Sequence, residues 1–392
     1  MHTTSENINA RALILALWCV CLMPAVAWAQ AGDRVEQLRR AAANIGGDRL
    51  AEAERQLNQI LRETPEEATA LNLLGALRAK QGRLEEAEAL FARAVRSDAR
   101  LAGAHMNLAH LYLLRREPEK SAAQLREVLR LEPSNAEAAQ RLAWLLLSQN
   151  RVEECVALVE SLKETQPPSA PLLAAAGEAY LRKGDRIAAV AAFRKAAELN
   201  PQEPSYQFAI GSAWLRYPPD VDEAERAFRQ FLKLRPGDAQ GQIHLGYVLL
   251  KESRLAEARA VLEPAAQGGA ATAEVFYYLG LIAQQEGEDA RAVELFEKSV
   301  RLAPTFAHAH ASLGAAFLKL KDYARAQAAL EAAVKFGPEE PRAHYNLALL
   351  YARLKQPERA QEEMRTVERL KNQGKTLTEE GEEVAPPRQN DE

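Results

Sequence analysis

Histidine and cysteine are the residue types in this chain that could bind a metal ion or attack a substrate, and their spacing argues against both. His308 and His310 lie two residues apart, and on a helix that spacing turns the side chains about 200° from each other. One ion therefore cannot be shared by the two rings. His105, His310 and His344 recur at one position of a sequence repeat, which predicts packed histidines. Cys155 stands at a position of small residues and is predicted to act as a small buried apolar side chain.

The sequence also lacks the local motifs of common catalytic and cofactor sites. It contains no H-E-x-x-H zinc motif, no Gly-rich phosphate loop ending in Lys-Ser or Lys-Thr, no nucleophile elbow and no paired-cysteine metal motif. Lys and Arg number 50 against 54 Asp and Glu, so the formal net charge is -4, whereas nucleic-acid binding needs a basic surface. We therefore expect a protein that is not an enzyme, holds no metal or cofactor and binds no nucleic acid.

The N-terminal residues 1–29 have the pattern of a secretory signal peptide. Arg11 precedes the apolar run Ala12–Met23, Pro24 breaks it, and Ala27 and Ala29 are the small residues that a signal peptidase requires. We expect cleavage after Ala29 and a periplasmic or secreted protein without a membrane span. The alternative is an uncleaved N-terminal membrane anchor, for which this run is shorter than the about 20 residues that span a bilayer.

A period of 34 residues runs through the rest of the chain. Prolines follow short helical segments, and their spacings are 34 or 35 residues or twice that period: they are Pro65, Pro133, Pro167, Pro201, Pro236, Pro304 and Pro338. With this proline at position 32, repeats begin at residues 34, 68, 102, 136, 170, 204, 239, 273, 307 and 341. The domain of repeats is predicted to span 30–370, and the acidic segment 371–392 is predicted to be disordered.

Each repeat has the pattern of two amphipathic helices joined by a tight turn. Apolar residues at positions 4, 7, 8 and 11 share one face of a first helix, and those at positions 20, 24 and 27 share one face of a second. Position 15 lies between them, where a residue with a positive φ ends the first helix. It holds Gly82, Asn150, Gly184 and Gly287 in four of the repeats. One hairpin cannot bury its apolar face alone, so stacked repeats must share a core.

The repeat that begins at residue 170 carries the pattern most completely. Its positions 8, 11, 20, 24, 27 and 32 hold Gly177, Tyr180, Ala189, Phe193, Ala196 and Pro201. This pattern resembles the tetratricopeptide repeat (TPR), and the resemblance covers about residues 34–370. It implies an all-α fold, namely a right-handed α-solenoid of about ten tandem helix-turn-helix units. Together with the signal sequence, it suggests a TPR protein of the exported bacterial type.

Two repeats depart from the pattern. The repeat from residue 204 has one extra residue in its turn, at 217–220. The repeat from residue 239 carries Pro264 inside its second helix, where proline removes a backbone hydrogen bond and kinks or ends the helix. We therefore predict that the array is weakest at residues 264–272.

The resemblance also places the binding surface, because positions 2, 5, 9, 12 and 13 of a TPR line its concave wall. Bulky residues at positions 5 and 9 are predicted to be partly exposed there and to bind a partner. They are Met106, Trp144, Phe208, Ile243, Tyr247, Tyr277, Leu281, Tyr345 and Leu349. The alternative is a tight superhelix in which these side chains touch neighbouring helices. The cations at position 13, such as Lys80 and Arg182, suit the negative end of the first helix.

The function expected from these features is that of a non-catalytic scaffold or adaptor for protein–protein interaction in the bacterial cell envelope. A partner segment would lie in the concave groove. The alternative is a TPR accessory protein for envelope polysaccharide assembly or secretion, since aromatic side chains can stack on sugars. A carboxylate clamp for a peptide terminus is disfavoured, because Lys at position 5 and Asn at position 9 are not paired here.

Overall fold

The computed structural model describes residues 33–162, 168–216, 219–268 and 271–373. These residues form twenty α-helices and contain no β-strand. The helices alternate as the first and the second helix of successive hairpins, which confirms the predicted all-α helix-turn-helix fold. Among the described residues, no helix is both long and apolar enough to cross a membrane. The predicted signal peptide lies outside the described residues.

The helices fall into two units, and the N-terminal unit ends at Lys183. Its first helix, α1, spans residues 33–46. The others are α2 Leu50–Glu63, α3 Ala68–Lys80, α4 Leu84–Ser97, α5 Ala102–Leu114, α6 Pro118–Leu131, α7 Ala136–Ser148, α8 Val152–Leu162 and α9 Ala170–Arg182.

The C-terminal unit begins at Gly184. Its helices are α10 Arg186–Leu199, α11 Pro204–Trp214, α12 Val221–Leu234, α13 Ala239–Lys251, α14 Leu255–Gln267, α15 Ala273–Gln285, α16 Asp289–Leu302, α17 Ala307–Lys319, α18 Tyr323–Phe336, α19 Pro341–Arg353 and α20 Pro357–Asn372. In each unit a first helix packs against the second helix of its own repeat, as α5 does against α6 and α15 against α16.

The turn inside nine of the ten hairpins is closed by one residue with a positive φ. The four residues predicted for this role, which include Gly82 (φ 77°) and Asn150 (φ 57°), are confirmed. In five other repeats the residue at this position is one for which a positive φ costs more free energy. These residues are Asp48, Arg116, Ser253, Lys321 and Lys355. The next residue then donates its N–H to the carbonyl five residues back, as Glu117 does to Tyr112 over 2.8 Å.

The repeat with an extra residue closes its turn one residue later. The backbone N–H of Asp220 donates to the carbonyl of Trp214, six residues back, over 2.8 Å. The Asp220 carboxylate then accepts from the backbone N–H of Glu223 over 3.1 Å and caps α12. The added residue is therefore absorbed in the turn, and the second helix keeps its 14 residues.

The core of each hairpin depends on close approach at position 8. Gly280 faces the ring of Phe296, and a Cβ atom at Gly280 would lie 2.5 Å from Cε1 of that ring. Phe296 is fully buried. Gly75 and Phe91 repeat the arrangement in the N-terminal unit, so the small residue at position 8 admits the bulky residue at position 24.

Two expectations about the ends of helices change. Pro264 does not end α14, which continues to Gln267 with Ala265 buried; residues 269 and 270 lie outside the described part, so the predicted weak point stays a prediction. The predicted disordered segment was placed from residue 371, but α20 continues to Asn372. Arg369 and Lys371 in its last turn favour this extension, because cations suit a helix C-terminus. Residues 374–392 lie outside the described residues.

Candidate protein-binding face

Two of the predicted groove residues lie in the core. Ile243 is 1% exposed and Tyr277 is 3% exposed, so the expected partial exposure is wrong for both. The reason is close packing of successive first helices, which brings Phe306, at the start of α17, to 5.2 Å from Tyr277 between ring centroids. In this part of the chain the alternative prediction, contact between neighbouring helices, is the correct one.

Three other predicted groove residues are half-buried. Phe208, Tyr247 and Leu281 pack against the core of the C-terminal unit. The Phe208 ring lies 4.8 Å from His244 and 5.3 Å from Phe231 between centroids. Replacing Phe208 would therefore disturb the core as well as any surface, and these side chains do not form a free binding strip.

Exposed members of the predicted groove remain at two places, one in each unit. In the N-terminal unit Trp144 is 44% exposed, and Met106 on the neighbouring first helix is half-buried. In the C-terminal unit Tyr345 is 40% and Leu349 is 43% exposed. These four residues are the part of the predicted groove that a partner could reach.

A hollow of about 600 Å³ surrounds Trp144. Leu113 of α5 forms one wall, and the rest of the lining comes from α7: Glu137, Gln140, Arg141, Trp144, Leu145 and Ser148. The backbones of α5 and α7 are not closely packed, in contrast to α7 and α9. We refer to this feature as the Trp144 hollow. The gap between two first helices gives it depth.

The local sequence of α7 explains why Trp144 faces outward. Asn135 caps the helix by accepting from the backbone N–H of Ala138 over 2.9 Å. Glu137, Arg141, Trp144 and Ser148 then follow at spacings of three and four residues and share one exposed stripe. Leucines and alanines on the remaining faces are buried, so the core fixes the side of α7 that meets solvent.

The Trp144 hollow combines an apolar floor with polar groups that have no internal partner. The Gln140 amide and the Trp144 indole N–H make no hydrogen bond with any described residue. His110 on α5 does not line the hollow; its Nε2 is buried without a hydrogen bond among the described residues, although Glu137 Oε1 lies 3.7 Å away. Burial lowers the pKa of His110, and the Arg141 guanidinium lowers it further. The imidazole is therefore neutral at pH 7.

These groups suit binding rather than catalysis. The donors and acceptors of Gln140 and Trp144 can satisfy the backbone of an extended segment, while Leu113 and the indole ring accept an apolar side chain. Sequence reasoning did not single out Leu113. It stands at position 12, which the family resemblance assigns to the concave wall, and its half-burial beside an open gap is visible only in three dimensions.

The histidines at position 4 connect neighbouring repeats. His310 Nε2 lies 2.9 Å from the Pro304 carbonyl and His344 Nε2 lies 3.0 Å from the Pro338 carbonyl. His105 makes the same contact with Ala99. Each ring therefore ties a first helix to the carbonyl that ends the preceding repeat, which confirms packed histidines. No cluster that could hold a metal ion occurs among the described residues.

Cys155 and the cations at position 13 also have the surroundings of residues with a structural role. Burial raises the pKa of the Cys155 thiol to about 11, so the group stays protonated at neutral pH. Lys80 Nζ donates to the carbonyl of Ile45 over 3.0 Å, and Lys319 pairs with Asp289 at 2.7 Å. These two lysines therefore satisfy groups of the preceding repeat.

Family models now assign the chain by its sequence. Four tetratricopeptide repeat models match it: one over residues 34–102, 220–271 and 312–374, and the others over 113–178, 273–306 and 170–203. These matches together cover well over half of the chain, so it belongs to the tetratricopeptide repeat family. Comparison with curated protein sequences gives no match.

Solved structures share the helical-repeat architecture at low sequence identity. The APC/C hetero-tetramer Cut9–Hcn1 is 16% identical, with 86% of this chain and 80% of that chain covered and a TM-score of 0.49. PilW, a type IV pilus biogenesis factor, is 16% identical over 53% of this chain and 96% of its own, with a TM-score of 0.43. MamA is 21% identical over 42% and 95%, with a TM-score of 0.36.

Proposed function

We propose that this chain is a non-catalytic adaptor that binds a segment of a partner protein in the Trp144 hollow. The observation that carries the proposal is the coexistence, in one hollow of about 600 Å³, of an exposed indole and the Gln140 amide, which has no hydrogen bond to a described residue. Exposed tryptophan is unfavourable in water and is enriched at the centres of protein interfaces. The TPR fold supports this proposal, because tandem hairpins present extended binding surfaces.

Capture of partners tests the proposal. Purified chain is immobilised and exposed to a cell-envelope extract, beside the variants Trp144→Ala and Leu302→Ala. Leu302 is an exposed leucine at the end of α16 in the other unit and serves as the matched control. We expect Trp144→Ala to lose specifically captured proteins that Leu302→Ala retains, with both variants showing the wild-type circular dichroism. Equal capture by all three proteins would remove the Trp144 hollow from the function.

The cell envelope enters the proposal through residues 1–29 alone. Their signal-peptide pattern favours export of the chain and cleavage after Ala29. Mass spectrometry of the protein recovered from bacterial cells checks this directly. An N-terminus at Gln30 supports export with cleavage, whereas a retained Met1 in the membrane fraction supports the N-terminal anchor.

A second candidate is a glycan ligand in the same hollow, as an accessory protein of envelope polysaccharide assembly or secretion would require. The exposed Trp144 ring beside the free Gln140 amide favours it, because a sugar offers C–H groups to an aromatic face and hydroxyls to an amide. Binding to a glycan array, compared between wild type and Trp144→Ala, distinguishes this function from protein capture.

A further inference from the structure

In the C-terminal unit, from α13 to α19, each first helix packs against the next one. The side chain at position 5 is buried by this contact. Ala311 is buried at this position on α17, as Ile243 and Tyr277 are on the two preceding first helices. The helix that follows supplies the cover: α13 contacts α15, α15 contacts α17 and α17 contacts α19. A side chain at position 5 thus faces the place where the next first helix lies.

The helix α19 is the last first helix among the described residues, and its corresponding face is open. Tyr345 stands at position 5 and Leu349 at position 9, and both are exposed. They are four residues apart and therefore neighbours on one side of α19. No later first helix among the described residues packs on these two side chains.

Two arginines extend this apolar pair at either end. Arg342, Tyr345, Leu349 and Arg353 follow one another at spacings of three and four residues, so they form one stripe along α19, which we call the α19 stripe. Neither guanidinium forms an ion pair with a described residue, whereas the nearby Arg325 and Arg359 do. Glu340, the acid next to the stripe, pairs with His308 at 2.9 Å and also lies within electrostatic reach of Arg342.

We propose that the α19 stripe docks an α-helix of a partner protein that carries two apolar side chains three or four residues apart and carboxylates at both ends. This helix would take the place on α19 that α17 takes on α15. Its apolar pair would cover Tyr345 and Leu349, and its acids would neutralise Arg342 and Arg353. The site is separate from the Trp144 hollow.

Charge argues against one other occupant, and amino-acid composition argues against another. A second copy of α19 would set arginines against arginines in either direction, because one stands at each end of the stripe. The chain's own sequence after Gln373 contains acids, but it also contains Gly381, Pro386 and Pro387 and has no large apolar pair three or four residues apart. The partner is therefore expected to come from another protein.

Peptide binding to the full-length chain tests the proposal. The probe is a fluorescein-labelled synthetic helix of alanines with two central leucines four residues apart and glutamates at both ends; its matched control has lysines in place of the glutamates. We expect the Glu peptide to bind at least tenfold more tightly than the Lys peptide by fluorescence anisotropy, and to weaken as salt is added. The variant Leu349→Ser should weaken the affinity for the Glu peptide at least tenfold, and so should the double variant Arg342→Glu with Arg353→Glu. The control variant Leu302→Ser should leave this affinity unchanged.

Several outcomes would overturn the assignment. Equal affinity for the two peptides removes the charge argument, and unchanged affinity in Leu349→Ser, with Tyr345→Ser as a second variant, removes the site. If a chain ending at Gln373 binds the Glu peptide more than tenfold better than the full chain, the natural occupant is the C-terminal segment. A dimer in sedimentation velocity that Leu349→Ser dissociates would assign the stripe to a second copy. Circular dichroism of every variant confirms that loss of binding is not loss of fold.

Discussion

At the scale of single residues, one small residue per hairpin, a glycine in six of the ten repeats, sets how near its two helices approach. Gly280 on α15 leaves just enough room for the buried Phe296 ring of α16. A glycine inside a helix costs about 1 kcal/mol relative to alanine, so its presence at position 8 reflects the packing of position 24. The small residue at position 8 and the bulky residue at position 24 are thus the two partners of one contact.

Gly280→Ala is expected to destabilise the protein despite the better helix propensity of alanine. The new methyl group would overlap a ring that is packed on all sides, and such overpacking costs about 1–3 kcal/mol. Urea denaturation followed by circular dichroism should show a lower midpoint. Gly237→Ala is the control, since nothing lies within 4 Å of its Cβ position, and an equal loss in both variants would contradict the packing argument.

Cys155 is expected to be inert in the folded protein. Its thiol is fully buried and its pKa is raised to about 11 by burial, so almost no thiolate exists at pH 8. In a chain with Cys19→Ser and Cys21→Ser, Ellman's reagent should release no thiolate product at pH 8 before unfolding and one equivalent after addition of urea. Rapid reaction of the native protein would show that Cys155 is accessible.

At the scale of elements, the turns show where sequence patterns suffice and where they do not. Glycine and asparagine at position 15 predicted a positive φ, and the structure confirms it. Lys321 and Lys355 adopt the same conformation although lysine has no preference for it, because the helices on both sides fix the ends of the turn. The period of the repeat therefore predicts the backbone better than the residue at the position does.

Replacing Lys321 by glycine should accordingly stabilise the protein. Its φ of 61° costs a non-glycine residue about 1–2 kcal/mol, part of which the flexibility of glycine in the unfolded state offsets. We expect a gain of about 0.5–1 kcal/mol in the free energy of unfolding. Gly287→Ala is the reverse substitution at another position 15. Nothing lies within 4 Å of the added methyl group, so only the φ of 79° opposes the substitution. The free energy of unfolding should therefore fall. Changes of the same sign in both variants would refute this account.

The helices were predictable from the sequence, but the exposure of the candidate site was not. The 34-residue period and its apolar positions place a first and a second helix in every repeat, since each position depends on its own hairpin. Exposure at positions 5 and 9 depends on the next hairpin. Tyr277 and Tyr345 share a position and a residue type, yet α17 covers the first and no described helix covers the second. Likewise, the gap between α5 and α7 has no signature within either repeat.

At the scale of the whole molecule, the two proposed docking sites, the Trp144 hollow in one unit and the α19 stripe in the other, share no residue. Effects of substitutions at sites without shared contacts are additive. Trp144→Ala should therefore leave the affinity for the Glu peptide unchanged within about twofold, and Leu349→Ser should leave the Trp144-dependent capture of envelope proteins intact. The decisive measurement is a mixture: wild-type chain saturated with Glu peptide should still capture those proteins, because an adaptor holds two partners at once. Mutual exclusion of the two ligands would mean that the chain has one binding site, and the adaptor function would fail with it.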